Sequence, residues 1–138
     1  MENTLNNGKI GQIKRMLFGI IGVIIVIAAV SWGISNRQFI SRAETAKGTV
    51  IKLNAGGSHP EIKFTTKDGK EVEYPQGGLI FGYQVGDEVT VHYDSQNPRN
   101  CVIDSFGALW GFPLLAFILG VCFLCVALYS KSGAAISP

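Results

Sequence analysis

Cys122 and Cys125 stand three residues apart, and a C-x-x-C pair is the arrangement that thiol–disulfide exchange uses. A membrane thiol oxidoreductase would need a second cysteine pair or a quinone site with polar groups, and the sequence offers neither. Cys101, the remaining cysteine, has no partner in the extramembrane part of the chain. Cysteines inside an apolar helix ordinarily pack as small hydrophobes. Packing is the expected role of this pair, with thiol redox chemistry as the competing one.

His59 and His92, joined by Cys101 or Asp94, are candidates for a metal site. Zinc asks for three or four ligands at recognisable spacing, and two histidines on separate strands do not meet that requirement. By alternation His92 falls on the wet face, opposite Val91 and Tyr93, so surface histidines are expected. No Ser–His–Asp arrangement, phosphate-binding glycine loop or pair of intramembrane carboxylates is present. The chain therefore reads as a non-enzyme with no cofactor, no metal and no catalytic residue. Transport is disfavoured too, because transporters place ionisable groups inside their spans.

Two elements dominate the rest of the sequence. Only 16% of the residues are charged, against about 25% in an ordinary soluble domain. The charges are also segregated: 16–34 and 106–129 contain no Asp, Glu, Lys, Arg or His. A soluble helix needs a polar face, and neither run supplies one. Eleven Leu, Ile, Val and Phe residues in the first run favour insertion by several kcal/mol in total. Its β-branched residues would suit a strand in water, but a strand facing lipid leaves its backbone unsatisfied. Helices over 16–34 and 106–129 are expected, each about the length needed to cross a bilayer. A cleaved signal peptide is the rival reading of the first run, since Lys14 and Arg15 precede it. That run exceeds the usual apolar length, and no clear A-x-A site follows it.

Pro113 predicts a kink early in the second helix. Gly107 with Gly111, and Ala116 with Gly120, form small-x-x-x-small pairs, and Gly19 with Gly22 offers a similar smooth patch. These residues are expected to pack the two helices of one chain, with a dedicated dimer interface as the competing reading; the oligomeric state is not fixed by them. Trp32 and Trp110 would lie at one membrane interface and Tyr129 at the other. Lys9, Lys14 and Arg15, with Lys131 in the tail, favour cytoplasmic termini, whereas Arg37, Arg42 and Lys47 oppose that orientation. The intervening stretch is long enough that its charges weigh less. The expected order is a cytoplasmic segment 1–15, spans 16–34 and 106–129, an extramembrane domain 35–105 on the outer side and a tail 130–138.

Within the domain, hydrophobic and polar residues alternate around Ile62–Phe64, Val72–Tyr74 and Val89–Tyr93, the mark of half-buried strands. Further strands are expected at Gly48–Leu53 and Asn100–Asp104. Asn54–Ser58, Lys67-Asp-Gly-Lys70, Val85-Gly-Asp87 and Asn97-Pro-Arg99 supply the turns. The fold class is thus α+β: two transmembrane helices flanking about five antiparallel strands, a meander curled into a barrel or half-barrel. Leu79, Ile80 and Phe81, bracketed by glycines, either fill the core or form an exposed tip that meets a partner or the headgroup layer. With a net charge of +2 and no basic stripe, nucleic acid is not an expected partner.

Gly48-Thr-Val50, His59–Thr66, Asp68-Gly69, Val85–Asp94, Asn97-Pro98 and Val102–Asp104 together resemble the bacterial two-pass membrane protein family built on the domain of unknown function numbered 3592. The resemblance extends over nearly the whole chain and rests on turn and strand residues, so it carries over no catalytic group. It implies a two-pass bacterial membrane protein, for which the inner membrane is the expected location, and some proteins of this broad type resemble immunity proteins found beside secreted antibacterial toxins. The expected function is a membrane-anchored, non-enzymatic module that binds a protein partner. The sharper alternative is an immunity protein that neutralises such a toxin.

Overall fold

The computed structural model describes residues 2–54, 56 and 59–132. Positions 55, 57 and 58 of the turn expected at Asn54–Ser58, and 133–138 of the tail, lie outside the described residues. In chain order the elements are α1 (Glu2–Arg42), β1 (Glu44–Asn54), β2 (His59–Thr65), β3 (Glu71–Pro75), β4 (Glu88–Tyr93), β5 (Cys101–Ile103), α2 (Phe106–Leu109) and α3 (Gly111–Ser132). They form two compact units, one of the chain up to Ser31 with that from Leu114 onward, the other spanning Trp32–Pro113.

The first unit is a pair of antiparallel helices. A Cβ on Gly22 would lie 2.9 Å from the carbonyl oxygen of Gly120, and one on Gly120 only 2.7 Å from Val26 Cγ2. Glycine at both positions lets the two backbones touch. Gly19 faces Ala127 at 3.8 Å, and the rings of Phe18 and Phe123 lie 5.4 Å apart. The outward faces are apolar: Ile24 and Ile27 are each 60% exposed, and Leu128 71%. Both helices are long and apolar enough to cross a membrane, with mean hydropathy 2.6 and only 11% of each apolar stretch buried. A core helix of a soluble protein would be buried instead.

The second unit is a five-stranded antiparallel half-barrel with strand order β3-β2-β1-β4-β5. A sequential meander is the simpler expectation from short strands joined by tight turns. Here β1 is longer than the expected Gly48–Leu53 and serves two partners: Gly48–Asn54 pairs with β2 and Glu44–Thr49 with β4. Its first half was hard to see because Glu44, Thr45 and Lys47 interrupt the apolar alternation. The segment between β3 and β4 then carries the chain to the far side of β1.

The core sits on the concave alternation: Val50, Ile62, Phe64, Val72, Tyr74, Val89, Val91, Tyr93 and Ile103. Phe64 is its centre, with the Tyr93 ring at 5.3 Å and the Tyr74 ring edge-on at 6.1 Å. Burial of each large side chain stabilises the domain by about 1.5–3 kcal/mol. Gly48 leaves room in β1 for Ile62 and Val91, since a Cβ there would lie 3.0 Å from each and both side chains would have to give way. Gly69, with φ +81°, makes the tight β2–β3 turn closed by the Thr66 N–H to Lys70 O bond.

Helix α1 continues to Arg42, through residues 35–42 that the charge pattern assigned to the extramembrane domain. Nothing in Ser35-Asn-Arg-Gln38 breaks a helix, and polarity alone does not. At the other end, Pro113 has no N–H to give the carbonyl four residues back, which is that of Leu109. The helical run breaks there into α2 and α3, with Trp110 between them. Asn36 supplies the missing donor: its side-chain amide donates to the Leu109 carbonyl.

Candidate functional site

A half-barrel leaves two strand edges unpaired, and here they are β3 and β5. The bonds from Thr66 N–H to Lys70 O and from Gln76 N–H to Pro60 O fix the parity of the β2–β3 ladder. In that register the backbone groups of Glu71 and Glu73 turn away from β2. Likewise the bonds from Asp94 N–H to Asn100 O and from Asp104 N–H to Thr90 O leave the amides of Cys101 and Ile103 facing outward from β5. Between the edges run two shallow grooves of about 400 and 580 Å³. Arg99 lines both, with Tyr74, Gln76 and Cys101 in one and Lys70 and Glu71 in the other.

Gln76 ties this seam at one end. It is buried, and its Oε1 accepts from the Ile103 N–H at 2.8 Å and from the Tyr74 hydroxyl at 3.0 Å. One side-chain oxygen thus replaces the strand that would otherwise satisfy Ile103. Burial pushes the Tyr74 phenol well above its ordinary value, so it stays a neutral donor. Burial also raises the Cys101 thiol, to about 12. Along β3, Lys63 pairs with Glu71 at 3.0 Å and Glu73 at 3.6 Å, and the bond to Glu71 chiefly raises the lysine pKa. These charges are exposed and contribute little to stability.

Across the sheet, the Tyr93 hydroxyl donates to Glu44 Oε2 at 2.7 Å and accepts from the Lys67 N–H at 3.0 Å. Lys67 Nζ lies 3.4 Å from Glu44 Oε1. The tyrosine bond, and then the lysine, hold the Glu44 carboxyl below its ordinary value. This cluster fastens the start of β1 to the β2–β3 turn; its charges are internally matched.

Leu79, Ile80 and Phe81 do not act as a single exposed tip. Ile80 is buried in the domain core, and Leu79 is half-buried. The Leu79 N–H donates to the Gly107 carbonyl at 3.2 Å, and a Cβ on Gly107 would meet the Leu79 oxygen at 1.8 Å. A Cβ on Gly111 would lie 2.9 Å from Leu79 Cβ. Gly107 and Gly111, expected to pack helix on helix, are the floor on which Leu79 rests. Phe81 is 75% exposed. Within the same unit the Trp32 ring stacks on Phe112 at 6.1 Å, and Trp110 lies 3.7 Å from where a Gly33 Cβ would be. Ala116 is half-buried and Tyr129 is exposed on α3.

The candidate chemistry is placed as follows. Cys122 and Cys125 are free thiols exposed on α3, and Cys101 is also free. His92 is buried, not on a wet face: β4 lies between β1 and β5, so His92 is flanked by Thr45 and Val102. Its Nε2 approaches Asp104 Oδ1 at 3.6 Å, while Nδ1 has no hydrogen-bond partner. His59 opens β2 opposite Asn54. Among the described residues, no group of three or more His, Cys, Asp and Glu side chains is gathered as a metal ion would require. Sequence reasoning missed Gln76 and Asn36. The signal for Asn36 was available, since a proline at 113 orphans the carbonyl of 109 and calls for a donor from elsewhere.

Two apolar helices flanking this half-barrel define the class. Residues 44–108 match the domain of unknown function DUF3592, and the chain belongs to that family. A relative in Pseudomonas aeruginosa, the immune protein Tsi4, is 44% identical over 102 residues, which is 73% of this chain and 70% of the relative. No solved structure matches the chain.

Proposed function

We propose that this chain is a membrane-anchored immunity protein. Two spans hold the β-domain at the surface of the bacterial inner membrane, and the domain neutralises a secreted antibacterial toxin by binding it rather than by catalysis. The observation that carries this reading is the 44% identity to a protein named for immunity, extending over 73% of the chain. That relative favours immunity within the broader class of membrane-anchored interaction modules. Lys9, Lys14 and Arg15 support cytoplasmic termini, with the β-domain on the outer side, where an incoming toxin would first meet it.

The unpaired edges of β3 and β5 supply the contact in this reading. Outward amides at Glu71, Glu73 and Cys101 are positioned to accept a partner strand by main-chain hydrogen bonding. The test is a competition between the parent strain and a strain from which this gene is deleted. The deletion strain is expected to be killed by its parent, and the full-length chain to restore survival. Equal survival of the deletion strain, with a toxin-delivering parent beside it, would contradict immunity.

A further inference from the structure

We propose that Phe81 is a third membrane contact, its ring seated at the boundary between headgroups and acyl chains of the bilayer that α1 and α3 cross. The proposal rests on the membrane reading above and adds a site to it. Leu79 is clamped by its N–H on the Gly107 carbonyl and by side-chain contact above Gly111, so the segment is fixed to the start of the second apolar helix. Ile80 points into the domain core. Phe81, the residue after it, lies outside that core. There it is 75% exposed, and Phe106 at the start of α2 is 68% exposed.

The bilayer is the occupant these observations favour over a protein. Leu79 lies at the level of Gly111, and the next residue, Phe112, stacks on Trp32. Tryptophan is a residue that populates the membrane interface. From Pro75 to Gly86 the chain carries no charged side chain, as a segment approaching hydrocarbon requires. At interfacial depth, water and headgroups still satisfy the loop's backbone, so an irregular segment is tolerated there. The consequence is a third point of attachment to the bilayer besides the two spans.

The test uses the full chain with Cys101, Cys122 and Cys125 replaced by Ala, in nanodiscs of phosphatidylethanolamine and phosphatidylglycerol. Nitroxides are placed singly by Phe81→Cys, by Asp68→Cys in the exposed β2–β3 turn and by Ile24→Cys in the span. Collision with oxygen and with a water-soluble nickel chelate then reports depth. At position 81 the nickel collision rate is expected to be several-fold below that at 68, with oxygen collision raised toward the value at 24. An aqueous signal at 81 with a lipid signal at 24 would overturn the third contact alone. Low collision with both reagents at 81 would overturn it in favour of a protein contact. An aqueous signal at 24 as well would overturn the membrane reading and this contact together.

Discussion

The side-chain amide of Asn36, in the last turns of α1, donates to the Leu109 carbonyl that Pro113 leaves without a helical donor. A proline inside a membrane helix removes one backbone bond, and the freed carbonyl must find another partner. Here the partner comes from the other helix, across the entire β-domain in sequence.

Asn36→Ala should therefore destabilise the β-domain in detergent by about 1–3 kcal/mol, the usual cost of leaving a buried polar group unsatisfied. In a Pro113→Ala background, where residue 113 regains its N–H, the same substitution should cost clearly less. Denaturant unfolding of the four proteins measures the coupling. Equal costs in both backgrounds would show that the two residues are independent.

Gln76 closes one end of the seam between β3 and β5 through bonds from Ile103 and Tyr74 to one oxygen. Gln76→Ala should lower domain stability by about 1–3 kcal/mol and strand the Ile103 amide. Hydrogen exchange at Ile103 should accelerate more than at Val91, whose neighbours on β1 and β5 remain paired.

The carboxyl of Glu44 is held below its ordinary value of 4.5, mainly by the Tyr93 hydroxyl. A depressed folded-state pKa gives stability that is present above the unfolded value and lost as pH falls through the folded one. Domain stability should accordingly fall as the pH drops below about 4.5. Glu44→Gln should flatten that part of the profile, as measured by thermal unfolding between neutral and acid pH. An unchanged slope would assign acid sensitivity to other carboxylates.

Burial raises the Cys101 thiol to about 12, so at pH 8 only about one part in ten thousand is thiolate. A membrane-impermeant maleimide should label Cys101 poorly on either side of the membrane. Asp68→Cys, in the exposed turn between β2 and β3, is the better reporter and should label in intact cells. Labelling only after permeabilisation would reverse the proposed orientation.

Much of this architecture was legible in the residues. Two uncharged runs announced the helices, and the alternation around Ile62, Val72 and Val91 announced strands with one buried face. Asp68-Gly69 marked its turn because positive φ is costly for other residues. Strand order was not legible, because alternation tells which face a residue takes and not which neighbour its strand chooses. β1 pairs on both edges, so it extends beyond the expected Gly48–Leu53 and the sheet is not the expected meander. His92 was misplaced for a related reason: alternation put it opposite Val91 and Tyr93, but its flanking strands leave it buried. The roles of Gly107 and Gly111 were hidden because a small-x-x-x-small pattern fits any close backbone approach. At these positions the approaching backbone is the Leu79 segment. Gln76 carried no local signal, since its partner Ile103 comes from the far edge of the sheet.

Every functional proposal here depends on α1 and α3 crossing a bilayer, with their exposed Ile, Leu and Val side chains in lipid. Extraction of cell membranes with alkaline carbonate, followed by high-speed centrifugation, tests this most directly. The full-length chain is expected to remain in the pellet and to be released only by detergent. Recovery of the chain in the carbonate supernatant would contradict a membrane-anchored immunity protein.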